Sequence, residues 1–154
     1  MSDASASPQP LRDRKGVFVP PADREIFVVP LRIEAGDIDE NGHVNNVVYV
    51  RWLQEVGTAH WNARFDEATR TRWSWVALRH EVDYKRPLMP GDTVQARTWV
   101  GVPNGPRFAR FVLIEGPNGV AAQGMSDWCL VDAKTMRPVR IPTEMLAPFL
   151  PAQT

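Results

Sequence analysis

The chain is short of several things. Its 154 residues include one cysteine, Cys129, three histidines and two tyrosines, and its formal charges cancel. A lone cysteine forms no intrachain disulfide and no thiolate zinc site, which suits a reducing cytoplasm. The histidines fall in no HxH or HExxH spacing, so neither a metal nor another cofactor is expected. Balanced charge argues against a general nucleic-acid binder. No apolar run approaches the ~20 residues that cross a bilayer, and the N-terminus MSDASASPQPLRDRKG lacks the apolar centre of a signal peptide. A soluble, cytoplasmic protein without membrane insertion is the expectation.

What is present fits one domain. Apolar residues make up 44% and charged residues 23% of the chain, ordinary proportions for a globular fold with a sizeable core. Residues 1–23 are rich in Ser, Ala, Pro and charge and end at Pro20-Pro21, which predicts a flexible or loosely docked tail. Residues 24–154 form the single domain. Phe27, Val29, Leu31 and Ile33 alternate as in a strand, with Pro30 placing it at an edge or a bulge.

Past a polar stretch, Asn45 or Asn46 is suited to cap a helix. Tyr49, Trp52, Leu53, Val56 and His60 then repeat at helical spacing, predicting one long helix that ends near Arg64. Everything beyond reads as β. Val76, Leu78, His80, Val82 and Tyr84 alternate, the turn Met89-Pro90-Gly91-Asp92 intervenes, and Val94 to Val102 alternates again, as two strands joined by a turn. Phe108 to Ile114 and Val120 to Val131 supply two more strands, so the four are expected as an antiparallel meander. Pro142 to Leu150 reads as a short terminal helix capped by Thr143 and cut by Pro148. An antiparallel sheet wrapped around one helix, an α+β arrangement, is the economical solution. Its edges invite a second copy, hence a homodimer that continues the sheet, or a tetramer of such dimers.

The polar stretch Gly36 to Trp52, GDIDENGHVNNVVYVRW, is the place to look for chemistry. Two aspartates, a histidine and three asparagines just before a helix are a costly set to bury without work to do. An Asp-rich loop before a helix also has a purely structural use, with Asp37 or Asp39 capping first-turn amides. For Asp37 the structural role is favoured. His60 and His80 read as hydrogen-bonded structural histidines, and Cys129 as a small buried side chain.

The motif D-I-D-E-N-G-H-V-N-N-V-V-Y at Asp37 to Tyr49, with D-Y-K-R-P-L-M-P-G-D at Asp83 to Asp92 and V-D-A-K-T-M-R-P-V-R-I-P at Val131 to Pro142, resembles the hotdog-fold thioesterases of the 4-hydroxybenzoyl-CoA and acyl-ACP type. The resemblance covers roughly residues 25 to 150. It implies a hotdog fold and hydrolysis of an acyl-CoA or acyl-ACP to a carboxylic acid and a thiol. The catalytic carboxylate of the bacterial branch falls on Asp39. The Asp-x-Asn-x-His set of the plant-type branch falls on Asp39, Asn41 and His43. The acid that those enzymes carry after a Tyr-Arg-Arg element is absent from Tyr84-Lys85-Arg86-Pro87.

Thioester hydrolysis needs a base or nucleophile and a place for charge on the carbonyl oxygen. Asp39 is the candidate for the first, as general base or nucleophile, and the resemblance assigns the second to the Asn46 amide at the helix start. Asn41 is expected to orient water or the carbonyl, and His43 to position Asp39 or carry a proton. An extended approach to the helix would point Asp39, Asn41 and His43 to one side. Tyr49, Trp52, Phe108, Phe111 and Trp128 are candidates for an acyl channel, and Lys85, Arg86, Arg107 and Arg110 for gripping phosphates. Two other functions fit the same features: a 3-hydroxyacyl-thioester dehydratase or enoyl hydratase, and a non-catalytic module that binds acyl thioesters.

Overall fold

The computed structural model describes residues 9–152. Its strands are β1 (Phe27–Leu31), β2 (Trp73–Tyr84), β3 (Val94–Val100), β4 (Arg107–Gly116) and β5 (Gly119–Asp132), and its helices are α1 (Asn46–Arg64) and α2 (Glu67–Arg72). All strand pairs are antiparallel, in the order β1-β3-β4-β5-β2. The sheet wraps around α1, the hotdog arrangement that the sequence resemblance implies.

α1 begins where the Asn45 side chain accepts the Val47 amide, and it buries Val48, Tyr49, Trp52, Leu53, Val56, Gly57, His60 and Trp61 along one stripe. The helix packs tightly on the sheet where Leu53 meets Gly124 on β5. A Cβ at position 124 would lie 2.7 Å from the Leu53 side chain and 3.2 Å from the Glu81 carbonyl oxygen, so a glycine is what admits the helix at this depth.

Several local expectations are corrected. β2 does not pair with β3. It pairs with β5 at one end of the sheet, while β3 lies between β1 and β4. The connection from 85 to 93 therefore crosses the sheet instead of making a hairpin, so the strands β3-β4-β5 form the meander and β2 is added at its edge. The crossing is anchored by Leu88, which is buried and whose carbonyl accepts the Val44 amide at 2.9 Å.

β2 also carries a bulge. Ala77 faces Trp128 and Arg79 faces Asp127, leaving Leu78 without a partner. One extra residue reverses the alternation, so Val76 lies on the face opposite His80 and Val82. The short α2, capped by Asp66, has no counterpart in the sequence reading. Pro142 to Leu150 forms two 3-10 turns, Thr143–Met145 and Ala147–Phe149, not a helix capped by Thr143. Pro148 leaves no amide to continue an α-helical ladder.

From Gln9 onward the N-terminal segment lies against the sheet face opposite α1. Phe18 is buried with Trp99, Phe111, Leu113 and Met125. Its amide donates to Gln123 Oε1 at 2.8 Å, and the Gln123 amide nitrogen returns a bond to the Gly16 carbonyl. Residues 1–8 of the expected tail lie outside the described residues.

Candidate active site

The loop before α1 is a closed turn, not an extended approach. The Gly42 amide donates to the Asp39 carbonyl at 3.0 Å, the Asp39 amide to the His43 carbonyl at 2.8 Å, and Ile38 bridges Val44. Gly42 holds φ at +77°, a left-handed conformation that glycine adopts without steric penalty. The alternation expected for Asp39, Asn41 and His43 is lost in this turn, and no hydrogen bond links their side chains to one another.

The two aspartates divide the work of the loop. Asp37 is buried and receives both terminal nitrogens of Arg51, at 2.9 and 3.1 Å, as well as the Glu34 amide. The Arg51 guanidinium holds its carboxyl below the usual range, against the opposing pull of burial. Asp39 is half-buried. Its Oδ1 accepts the amides of Asn41 and His43 at 2.9 and 3.2 Å, and its Oδ2 has no hydrogen-bond partner among the described residues.

Close in sequence to this carboxylate, α1 presents a spare donor. The Asn45 side chain takes the Val47 amide and the Asn45 carbonyl the Val48 amide, leaving the Asn46 amide without a protein acceptor among the described residues. Unpaired first-turn amides and the positive end of the helix dipole favour an oxyanion there. The Tyr84 hydroxyl donates to the Asn46 carbonyl at 2.9 Å, which fixes the end of β2 beside the helix start. Tyr49 is buried just below, in one apolar cluster with Leu88.

A cavity of about 250 Å3 opens further along α1, between Gly57, Trp61, Trp75, Phe108, Arg110 and Trp128. Behind its wall runs a buried polar chain. Arg110 Nη1 donates to His60 Nδ1 at 2.9 Å and to Thr98 Oγ1 at 3.0 Å. His60 Nε2 lies 2.7 Å from Glu25 Oε1, and the same carboxylate is gripped by Arg64 at 2.7 and 2.9 Å. Burial and then the neighbouring Arg110 charge push the His60 pKa down to about 4, so its ring is neutral near pH 7. The neutral ring that satisfies both neighbours carries its proton on Nε2. His60 is thus the hydrogen-bonded core histidine that its helical position predicts.

The predicted site residues are therefore distributed. Asp39, Asn41, His43 and Asn46 are together at the start of α1, with Tyr49 beneath. Asn41 is exposed and touches Asp39 only through its backbone amide. Arg86 is exposed in the connection after β2. Arg107 stands at the start of β4, where its Nε lies 3.5 Å from the largely buried carboxylate of Asp127. Phe111 belongs to the sheet face opposite α1, away from any channel beneath the helix. Arg110, grouped in sequence with the surface cations, is buried instead, because β4 alternation turns it with Phe108 and Val112 toward α1. Among the described residues no cluster of His, Cys, Asp and Glu has the makings of a metal site, and no helix is long and apolar enough to cross a membrane.

Solved structures share this arrangement at low sequence identity. A protein of Pseudomonas aeruginosa strain PAO1 superposes with a TM-score of 0.72 at 19% identity, over 82% of this chain and 94% of the other. A Thermus thermophilus thioesterase complexed with coenzyme A and Zn gives 0.69 at 21% identity, over 80% and 90%. The 1,4-dihydroxy-2-naphthoyl-CoA thioesterase of Synechocystis gives 0.69 at 12% identity, over 80% and 95%. No curated protein matches the chain. The likeness in fold is matched in sequence by the family model, which spans residues 33–149 and so takes in both the Asp39 turn and the cavity: the chain belongs to the thioesterase-like superfamily.

Proposed function

We propose that this protein hydrolyses an acyl-CoA, or the corresponding acyl carrier protein thioester, to a carboxylic acid and a free thiol. The observation that carries this reading is the Asp39 carboxylate with one oxygen spare, in the same turn that leads to the unpaired Asn46 amide. Its Oδ1 is fixed by two amides, so Oδ2 is held for the chemistry. Asp39 takes a proton from water that attacks the thioester carbonyl, or attacks that carbon itself. The developing oxyanion is received by the Asn46 amide and the helix dipole. Collapse of the tetrahedral intermediate expels the thiolate, which takes up the proton; where Asp39 is the nucleophile, water then hydrolyses the acyl–Asp39 anhydride and restores the carboxylate. Lys85 and Arg86, exposed past Tyr84, offer charge to the phosphates of CoA.

The acyl group needs a place, and the aromatic cavity supplies one. Gly57 is eleven residues beyond Asn46, about 16 Å along the helix axis, too far for a compact acyl group to reach from the same chain's Asp39. A second copy removes the difficulty. β2 is a twelve-residue strand at the sheet edge, and its own Val76 and Leu78 are exposed. An open edge of this length is a template for pairing. Antiparallel pairing of two β2 strands about their middle sets Trp73 to Trp75 of one copy beside Val82 to Tyr84 of the other. Because Tyr84 holds the helix start, each cavity then meets the Asp39 turn of the other copy. The protein acts as a homodimer with shared sites.

A panel of acyl-CoA thioesters, with free thiol followed by a disulfide-exchange dye, tests the activity. Release well above the uncatalysed rate from at least one short, long or aromatic member is expected. No release across the panel contradicts the reading.

A further inference from the structure

Arg110 is an unusual residue to find in the wall of an acyl cavity. It is buried, and no carboxylate is bonded to it among the described residues. Its neighbour His60 is neutral, and the nearest acid in the chain of bonds, Glu25, is already held by Arg64. The cluster of Arg110, Arg64 and Glu25 therefore keeps one positive charge in excess beneath the helix. A buried charge without a counter-ion is destabilising, and the usual compensation is a paired, hydrogen-bonded anion.

The hydrogen bonds show which part of the guanidinium is spare. His60 and Thr98 both take Nη1. Nε and Nη2, the two nitrogens whose N–H bonds run parallel on one side of the group, donate to no acceptor among the described residues. That side-on pair is the one that matches the two oxygens of a carboxylate. Gly57 keeps the approach open: a Cβ at that position would stand 3.3 Å from Arg110 Nε. The remaining walls are mostly aromatic, and about 250 Å3 is less than the ~300–1,000 Å3 of pockets for drug-sized ligands, which suits a compact group.

We propose that Arg110 sets the substrate class, taking a carboxylate at the far end of a short or aromatic acyl group through its Nε–H and Nη2–H. The inference rests on the thioesterase reading for its reaction but not for its ligand. Occupation would place an anion against the unpaired charge while the thioester end points out of the cavity, toward the Asp39 turn of the second copy.

The test compares matched thioesters that differ only in the distal group: glutaryl-CoA against pentanoyl-CoA, and 4-carboxybenzoyl-CoA against benzoyl-CoA. The wild-type protein is expected to favour the carboxylated member of each pair in kcat/KM on the order of 100-fold, the range expected when a site built to bond a polar group meets an analogue without it. Equal or reversed preference overturns the proposal. In Arg110→Met the ratio should collapse toward one, and a retained ratio also overturns it. If that variant does not fold by circular dichroism, Gly57→Ala, which crowds Nε, is expected to lower the same ratio, and an unchanged ratio counts against the proposal. If the wild type hydrolyses no thioester, the reaction reading has failed and the ligand is judged by binding. Saturable quenching of tryptophan fluorescence by free benzoate or pentanoate, absent with the uncharged benzamide or pentanamide, supports the carboxylate site. Equal response to acid and amide refutes it.

Discussion

Asp37 and Asp39 stand two residues apart in one turn, yet Asp37 is clamped by both terminal nitrogens of Arg51 while Asp39 holds only backbone amides and keeps Oδ2 spare. The first is tied into the fold and the second is the acid proposed to react, so their substitutions should separate. Asp37→Ala leaves the Glu34 amide without its acceptor, while the half-exposed Arg51 keeps Glu55, and the change is expected to cost about 1–2 kcal/mol. That corresponds to a fall in Tm of roughly 2–8 °C for a chain of this size. Asp39→Asn keeps the Oδ1 acceptor and should leave Tm nearly unchanged. Differential scanning calorimetry of the two variants checks both.

The buried chain of Arg110, His60 and Glu25 makes stability depend on pH with a definite sign. The His60 pKa is lowered from 6.5 to about 4, so between those values the unfolded state binds more protons. Stability is full above pH 6.5 and falls as pH drops toward 4, by about 3 kcal/mol at most. Glu25, also lowered, adds loss of the same sign below its ordinary pKa of 4.5. Arg64 and Arg110 stay charged throughout. Urea midpoints should therefore drop between pH 7.5 and 4.5, with a shallower drop in His60→Gln. A midpoint independent of pH over that range would contradict the buried neutral histidine.

The contact of Leu53 with Gly124 sets the depth of α1 on the sheet. Gly124→Ala places a methyl within 2.8 Å of both Leu53 methyl carbons and should cost about 1–3 kcal/mol by overpacking. Leu53→Val removes the reach of that side chain. The double variant should be less destabilised than the sum of the singles, and additive effects in denaturant unfolding would rule out a clash as the cause.

How far the sequence discloses the molecule depends on the range of the signal. α1 is read to its observed ends because its cap and its apolar repeat are local. The strands are found too, but their partners are not. Pro87, Met89, Pro90 and Gly91 look like a hairpin turn, whereas the observed connection crosses the sheet to bury Leu88 against Tyr49 and Val44, a contact between residues distant in sequence. The bulge at Leu78 is invisible to an alternation rule, since that rule presumes an unbroken phase. α2 is six residues long and buries none of them, so no apolar repeat announces it. At the site, Asp39 and Asn46 are legible from the motif. Arg110 is not, because a cation two residues after Phe108 on a strand reads as surface until the sheet faces are known.

Shared sites make a prediction that a monomer does not. In a mixture of Asp39→Asn with a variant whose cavity is filled, such as Gly57→Phe, each mixed dimer holds one site with an intact Asp39 and an intact cavity. Activity should rise on refolding the two inactive proteins together. The wild type should sediment at twice its 17.4 kDa chain mass. No complementation in a sample shown to contain mixed dimers would place each site within one chain.

The most direct test of the central claim is thiol release by Asp39→Asn beside wild type on the best acyl-CoA of the panel. Loss of the carboxylate charge with the turn intact should lower kcat by about 100- to 10,000-fold, the contribution typical of a positioned general base. A folded Asp39→Asn protein that turns over at near wild-type rate would contradict the account.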